Sequence, residues 1–541
     1  MQGKKLRQEK LFITYQLSNS VPLDNIYRRL NDLLDLNFLY KATAKYYGSV
    51  GPKSIDPVVF MKLMIVGYLE NLNSDRRIIG VSAMRMDIRY FIGYDIDEEL
   101  PWHSTLSRTR QLYSQDIFTD LFKQVLKQCV DMGMISGRRQ AVDGFFIKAN
   151  ASLDSMVEKE IMAEAETYSR ELASNEEDDS TNDNGNGKGI RVEDRDREPI
   201  KKVNPKKHFT QVVSGEGATE RTGIDISPSP LSIATRNELI DKGLKPKINP
   251  SNKTHYNPHD PDAKISVKPG KATALNYLGQ VCVDTATHVI THVQVFTAEK
   301  HDSQCLAAVL RHVKGNLNEN GLALQEIIAD TGYSSGDALK ALETQKITGY
   351  IPNRTQFNYQ REGFTYHPEG DYYQCEKGVQ LKYNGVYLTG GYWMKDYTVI
   401  RKACDGCTLQ PDCSAYAEKR TLIRETIDKP YYDRMHVRLQ TRKACALKKL
   451  RQSTVEPVIG TLVNYNGIKR VNTKGLQAAN KCLTMSAVAY NLKKMLKHKP
   501  RLIQDNIQTL KKRLKQDIML WFSRYQLNKQ YHLHILSVAL F

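Results

Sequence analysis

Three acidic residues in this chain sit where a charge is hard to bury. Asp143 interrupts the apolar centre of Ala141-Val142-Asp143-Gly144-Phe145-Phe146-Ile147. Asp330 ends the run Ile327-Ile328-Ala329. Glu456 stands in Thr454-Val455-Glu456-Pro457-Val458-Ile459-Gly460. A charge within a buried strand is unfavourable unless it is paired or binds metal. Carboxylates are hard oxygen ligands suited to Mg²⁺ or Mn²⁺. Mg²⁺ usually takes one or two protein carboxylates plus substrate phosphates, so three acids can hold two ions ~3.5–4 Å apart, one activating the attacking oxygen and one stabilising the leaving oxygen. That chemistry cuts and joins phosphodiesters without a covalent protein intermediate. Spacing alone does not single out the trio, because the chain has 60 Asp and Glu. Asp143 also reads as an edge-strand acid paired with Lys148 or Arg139.

The elements that must position these acids follow from periodicity and turn signals. Residues 138–150 read as a strand. Leu322 to Leu339 reads as a short buried strand ending in Asp330, a turn at Gly332 and a helix start. Ligands in open α/β sheets bind outside the carboxyl ends of strands, where Asp330 falls. Tyr277–Asp284 and His288–Val295 alternate about a short turn and read as a hairpin. His301-Asp302-Ser303 opens a helix over 304–314, with Asp302 or Ser303 as its cap rather than a neighbour of the acids. A strand over 348–352 follows. The order implies an α/β core with a mixed sheet.

The flanking regions differ. Residues 1–135 read as helical, with a helix apolar nearly all round from Pro57, a second from Ser74-Asp75 and a third capped by Ser104 or Thr105. Arg108 and Arg110 would lie on the first turns of that third helix, as phosphate contacts or as part of a solvated basic face. A charged helix is expected over 151–176. Residues 161–259 are acidic, low in complexity and then proline-bearing, and read as a flexible insertion. Residues 355–430 read as short strands. They carry Cys375, Cys404, Cys407 and Cys413, either a four-thiolate zinc site or reduced, partly buried thiols. A basic helical run over 431–451, including Arg451, reads as a DNA track. A helix over 473–497 and a basic helical segment over 499–541 complete the chain.

Composition narrows the partner. Lys and Arg number 78, for a net charge of +18 in 541 residues. That excess favours a polyanion, most often nucleic acid. No apolar run approaches the ~18 residues of a membrane span. Met1-Gln2-Gly3-Lys4-Lys5 is not followed by a signal segment. The nine cysteines do not suggest a disulfide scaffold, and no glycine-rich phosphate loop ends in Gly-Lys-Ser/Thr. A reducing cytoplasm fits best.

Several stretches together resemble the DDE-type bacterial insertion-sequence transposases, in the branch with a helical domain before the catalytic core. In the N-terminal part they are Ser54-Ile55-Asp56-Pro57, Gly67-Tyr68-Leu69-Glu70-Asn71, Phe91-Ile92-Gly93-Tyr94 and His103-Ser104-Thr105-Leu106-Ser107-Arg108. In the core they are Val142-Asp143, Ile147-Lys148-Ala149-Asn150, Ala329-Asp330-Thr331-Gly332-Tyr333, Val455-Glu456-Pro457-Val458-Ile459-Gly460, Lys469-Arg470-Val471-Asn472-Thr473-Lys474-Gly475 and Tyr490-Asn491-Leu492. Ile459 stands where the resemblance leads one to expect an aromatic residue, and Gly144 where a small or hydroxyl residue is common.

The resemblance implies an RNase H-like core over 136–160, 260–354 and 431–498, with Asp143 on the first strand, Asp330 after the fourth and Glu456 on a late helix. It implies a helical DNA-binding domain over 1–135 and a β-rich insertion over 355–430. It implies cleavage at the element's ends with Mg²⁺ or Mn²⁺, strand transfer into double-stranded target DNA, a homodimer on DNA and a nucleoid-associated cytoplasmic protein. Many related enzymes carry a basic residue soon after the Glu. Here residues 457–466 hold none, so Lys469, Arg470 and Lys474 are the expected phosphate contacts, with Lys148 beside the first acid. The alternatives are a catalytically inactive DNA-binding regulator and a metal-dependent nuclease without strand transfer.

Overall fold

The computed structural model describes residues 15–48, 54–159, 250–266, 273–354, 357–389, 392–416 and 421–498. The expected 499–541 segment and the expected insertion up to residue 249 lie outside the described residues. So does the expected 151–176 helix from residue 160 on. Before that point the chain makes a short turn at Leu153–Ser155 instead, then a two-residue strand.

Strand β1 (Arg139–Lys148) forms as expected. Strand β2 (Val157–Glu158) pairs antiparallel with β3 (His255–Tyr256), which ties together the two ends of the insertion. Next come β4 (Lys264–Ser266), β5 (Ala274–Asp284) and β6 (Ile290–Thr297). β5 and β6 are the expected hairpin, antiparallel from Tyr277↔Thr297 to Val283↔Ile290. The helix Asp302–Asn318 leads to β7 (Glu326–Ile328), and the helix Gly336–Thr344 leads to β8 (Thr348–Tyr350).

β1 and β4 to β8 build one mixed sheet, apart from the β2–β3 pair; in it β5 lies antiparallel to β1, and β7 and β8 lie parallel to β1 and to each other. β1 is thus central, not an edge strand. Ala141 pairs with Ile328. Carrying that parallel register two residues further sets Asp330 alongside Asp143.

A second, five-stranded antiparallel sheet occupies the region expected to be β-rich. It comprises β9 (Phe364–His367), β10 (Tyr372–Cys375), β11 (Gln380–Thr389), β12 (Tyr392–Val399) and β13 (Thr421–Thr426), in the order β13-β12-β11-β10-β9. Its own small core is Tyr373, Leu381, Tyr397, Ala415 and Ile423.

The N-terminal region is helical, as its sequence predicts. Asp56 caps the helix Pro57–Leu69, its carboxylate accepting from Val58 N at 2.7 Å and Val59 N at 3.1 Å, with Pro57 at the first helical position. Ser74 caps Asp75–Met84. The helix His103–Leu112 departs from expectation: it starts two to three residues early, after Trp102, and neither Ser104 nor Thr105 caps it.

The last described helix, Leu476–Lys497, joins the two halves. Its spacing suggests one apolar face, yet every residue from Ala479 to Leu492 is buried. It lies between β6 on one side and the helices Pro57–Leu69 and Gln115–Asp131 on the other. Its polar side chains are satisfied inside. Asn480 accepts from Val295 N at 2.8 Å, Asn491 accepts from Ile290 N at 2.9 Å, and Lys481 Nζ donates to the carbonyls of Arg110 (3.0 Å) and Tyr113 (2.6 Å).

Candidate active site

Asp143 and Asp330 meet because two adjacent parallel strands deliver them in register. The Gly144 N–H donates to Asp143 Oδ1 at 2.9 Å, and the Gly332 N–H donates to Asp330 Oδ1 at 2.9 Å as that carboxylate starts the turn Thr331–Tyr333. Burial pushes the Asp143 carboxyl up to about 6. The Arg451 guanidinium pulls it back, the Asp330 charge adds to the rise, and the Gly144 N–H opposes it. The two acids therefore feel each other's charge.

Asp284 shows what a purely structural acid on the same sheet looks like. It is wholly buried and accepts from Gly137 N, Gln140 Nε2 and Ala286 N, each at 2.9 Å. Asp143 keeps accepting capacity beyond its bonds to Gly144 and Arg451.

Glu456 lies in the helix Arg442–Tyr465, five residues beyond Arg451. Arg451 Nη1 lies 2.9 Å from Asp143 Oδ2, and its Nη2 lies 3.5 Å from Glu456 Oε1. One guanidinium thus spans the strand acid and the helix acid. The Glu456 side chain is 56% exposed against 17% for Asp143, so it rests at the mouth of the site. Neither Lys148 nor Arg139 pairs with Asp143, since Arg139 bonds Glu326 at 2.5 Å.

A buried polar brace lies behind the two aspartates. Gln280 on β5 stands opposite Gly144. Its Nε2 donates to Asp302 Oδ1 at 2.6 Å, and its Oε1 accepts from the Tyr333 hydroxyl. Asp302 crosses over Gly144 so closely that a Cβ there would lie 2.1 Å from Asp302 Oδ1. A Cβ on Gly332 would lie 3.2 Å from Asp302 Oδ2. Asp302 is therefore not the helix cap: His301 holds that position and its N–H donates to Gln304 Oε1 at 2.9 Å. The signals for this brace are Gln280 amid the apolar centre of β5 and a glycine within two residues of each aspartate.

Two carboxylates with hard oxygen donors fit the habit of Mg²⁺, which completes its shell with water and phosphate. Among the described residues no group of three His, Cys, Asp or Glu is arranged to hold a metal, and Glu456 is directed to Arg451. The expected three-acid set is thus present as a close pair with the third member displaced. Among the described residues the four cysteines expected at a zinc site are not gathered into a metal-holding group. Cys375, Cys404, Cys407 and Cys413 are free thiols; Cys404 Sγ lies 3.3 Å from Thr421 Oγ1, and Cys413 packs against the small core of the second sheet.

The expected DNA-contacting cations fall into three groups. Lys148, Lys469 and Arg470 gather at the end of β1, where residues 469–471 add on: the Lys148 N–H donates to Lys469 O at 3.2 Å, and the Val471 N–H to Lys148 O at 3.0 Å. All three are exposed, as is Lys474 nearby. Arg108 is exposed on its helix and bonds Ser104 Oγ at 3.2 Å. Arg110 is a correction: it is 6% exposed and its guanidinium is bound to Asp75, so it holds helices together instead of facing solvent. Much of the 431–451 run is likewise occupied within the protein. Arg434 pairs with Glu343 at 2.8 Å, Arg438 donates to Gly349 O at 3.0 Å, and Lys443 pairs with Glu326. No helix among the described residues is long and apolar enough to cross a membrane.

Residues 15–112 match the family described as transposase domain (DUF772), and residues 374–496 match the family described as transposase DDE domain. Both matched families are transposase families. Taken together the two matches support, more narrowly, a DDE-type insertion-sequence transposase. The second match spans Arg451 and Glu456 and leaves Asp143 and Asp330 outside it. No curated protein matches the chain. A solved structure described as the cryo-EM structure of piggyBac transposase synaptic complex with hairpin DNA aligns over 90% of this chain and 86% of that one, at 11% identity and a TM-score of 0.23. That score is too low to argue from.

Proposed function

We propose that this protein cleaves DNA at the ends of an insertion sequence and transfers the freed strand into target DNA, with Asp143 and Asp330 at the reacting phosphate and Glu456 as the third acid. The observation that carries the reading is the meeting of Asp143 and Asp330 across β1 and β7 in a chain whose later part matches the DDE domain. The sheet supports an RNase H-like core. With the short β2 to β4 set aside, the strand order is β6-β5-β1-β7-β8, the first three antiparallel and the last two parallel to β1. The first acid then sits on the first strand and the second after the fourth.

Asp143 and Asp330 would hold a divalent cation such as Mg²⁺ or Mn²⁺, which supplies charge stabilisation at the phosphate and a lower pKa for attacking water. The chain's own residues do the rest. Gln280, Asp302 and Tyr333 brace the aspartates. Arg451 pairs with Asp143 and Glu456 and is placed to meet phosphate oxygens, which guanidinium binds well. Lys148, Lys469, Arg470 and Lys474 extend a cationic strip for the duplex backbone. Two element ends must be brought together, so the working form on DNA is a homodimer.

The test uses the purified protein and duplexes carrying the element ends, with Mg²⁺ or with EDTA, beside Asp143→Asn and Glu456→Gln proteins. Cleaved and joined products only with metal and the native acids are expected. Cleavage without joining would mean a nuclease, and binding without cleavage in every condition would mean a DNA-binding regulator.

A further inference from the structure

The segment from Lys469 to Gly475 links the last two described helices and is held at both ends. At the front, its backbone joins Lys148 at the end of β1. At the rear, Gly475 turns with a φ of +89°, and its N–H donates to Oδ1 of the wholly buried Asp260 at 3.1 Å. The next N–H, of Leu476, donates to Asp262 Oδ2 at 2.8 Å. Between these anchors stands Asn150, two residues beyond β1. Its Oδ1 accepts from Arg470 Nη2 at 2.9 Å, and its Nδ2 donates to Asn472 O at 3.3 Å. One side-chain amide thus ties down both a guanidinium and the backbone two residues further on.

The choice of an amide matters for charge. Arg110, Arg139, Arg434 and Arg451 each face a carboxylate, which offsets their charge. Arg470 is exposed, and Asn150 is neutral, so this contact orients the guanidinium and leaves its charge for another partner. The bond takes one of the five N–H donors of the group. An unheld arginine loses rotamer freedom when it settles on a phosphate, whereas a held one has lost it beforehand, and such preorganisation raises affinity.

We propose that Asn150 is a positioning residue: it holds the Arg470 guanidinium in the orientation that meets a duplex phosphate, and it acts on DNA through Arg470. The proposal rests on the DNA transposase reading.

The experiment titrates the full-length protein with a duplex carrying the element end, in EDTA so that nothing is cut, over a range of salt. Arg470→Ala should bind on the order of tenfold more weakly, and its salt slope should fall by about one, the signature of one lost phosphate contact. Asn150→Ala should bind about fivefold more weakly with a native melting profile. In the Arg470→Ala background the same change should cost less than about twofold, because the group it positions is gone. If Asn150→Ala does not fold, Asn150→Ser, whose hydroxyl is too short to make both bonds, carries the same expectation. Equal losses in the two backgrounds make Asn150 a structural residue only and overturn the proposal. Native affinity of Asn150→Ala, or native affinity and slope of Arg470→Ala, overturns it as well; each of these leaves the transposase reading standing. No binding of the native protein to the duplex overturns both.

Discussion

The strand side and the helix side of the candidate site are built to different standards. Asp143 and Asp330 come from neighbouring strands whose register leaves no freedom: Ala141 pairs with Ile328, and the acids follow two residues on. The brace of Gln280, Asp302 and Tyr333 packs against Gly144 with no room for a methyl group. Glu456 rides on a helix, more than half exposed, and is tied to the site by Arg451. The next residue, Pro457, has no N–H to give the carbonyl of Ser453, so the helix lacks a rung beside the acid. The sheet thus fixes two acids before substrate arrives, and the helix leaves the third able to move. An acid meant only to hold the fold together would be placed as Asp284 is, with its oxygens already satisfied.

The largest effect that tests this contrast is on activity. Asp143→Asn or Asp330→Asn should lower DNA cleavage by roughly 10³-fold or more, the scale of several kcal/mol of lost charge stabilisation. Glu456→Gln should fall as far if the helix acid joins the pair on DNA. Cleavage by Glu456→Gln at the native rate would remove it from the chemistry and leave the strand pair alone.

Gly144→Ala comes next. Its methyl group would meet Asp302 Oδ1 at 2.1 Å and Gln280 Nε2 at 2.7 Å, and relieving that clash should cost about 1–3 kcal/mol. Denaturant titration would read the loss. A native midpoint for the alanine protein would mean that the brace is not rigid.

Asp143→Asn should have a smaller effect on stability, and of the opposite sign. The carboxyl, raised to about 6 by burial, binds a proton in the folded protein that the unfolded chain has released above about 4. Stability from this group is therefore fully present below pH ~4, falls as pH rises to ~6, and stays lower above that. Asparagine removes the penalty. The melting temperature should rise by about one to three degrees at pH 7.5 and hardly at all at pH 4. Glu456→Gln, exposed and loosely paired, should not move it at either pH. Equal shifts for the two proteins would erase the distinction between fixed and mobile acids.

How much of this was legible in the sequence follows from the range of the forces involved. Strands and the hairpin were readable because alternation is local: β1, β5, β6, β7 and β8 all lie where the pattern puts them. The two aspartates stood out because a charge in an apolar run needs a reason. What depends on distant partners was not readable. Arg110 follows the mostly polar stretch Ser107-Arg108-Thr109, and only the fold brings Asp75 to it. Asp302 follows a capping pattern, and only the sheet shows that Gln280 and Gly144 meet it. The four cysteines have a suggestive spacing, but the second sheet holds Cys413 among apolar side chains instead. The basic run over 431–451 has the composition of a DNA track, yet Glu326 and Glu343 take two of its charges and Asp143 a third.

The smallest effect concerns the second glycine of the contrast. Gly460 lies in the same helix as Glu456, one turn on, and a Cβ there would meet nothing within 4 Å. Glycine in a helix interior is less favourable than alanine by ~0.8–1.0 kcal/mol, because it leaves more backbone freedom to lose. Gly460→Ala should therefore stabilise the protein slightly, where Gly144→Ala destabilises it. If the helix must yield for Glu456 to approach the aspartates, the same substitution should also slow cleavage a few-fold while DNA affinity stays constant. A stabilised protein that cleaves at the native rate would mean that Glu456 reaches its working position by side-chain rotation alone, with the helix held still.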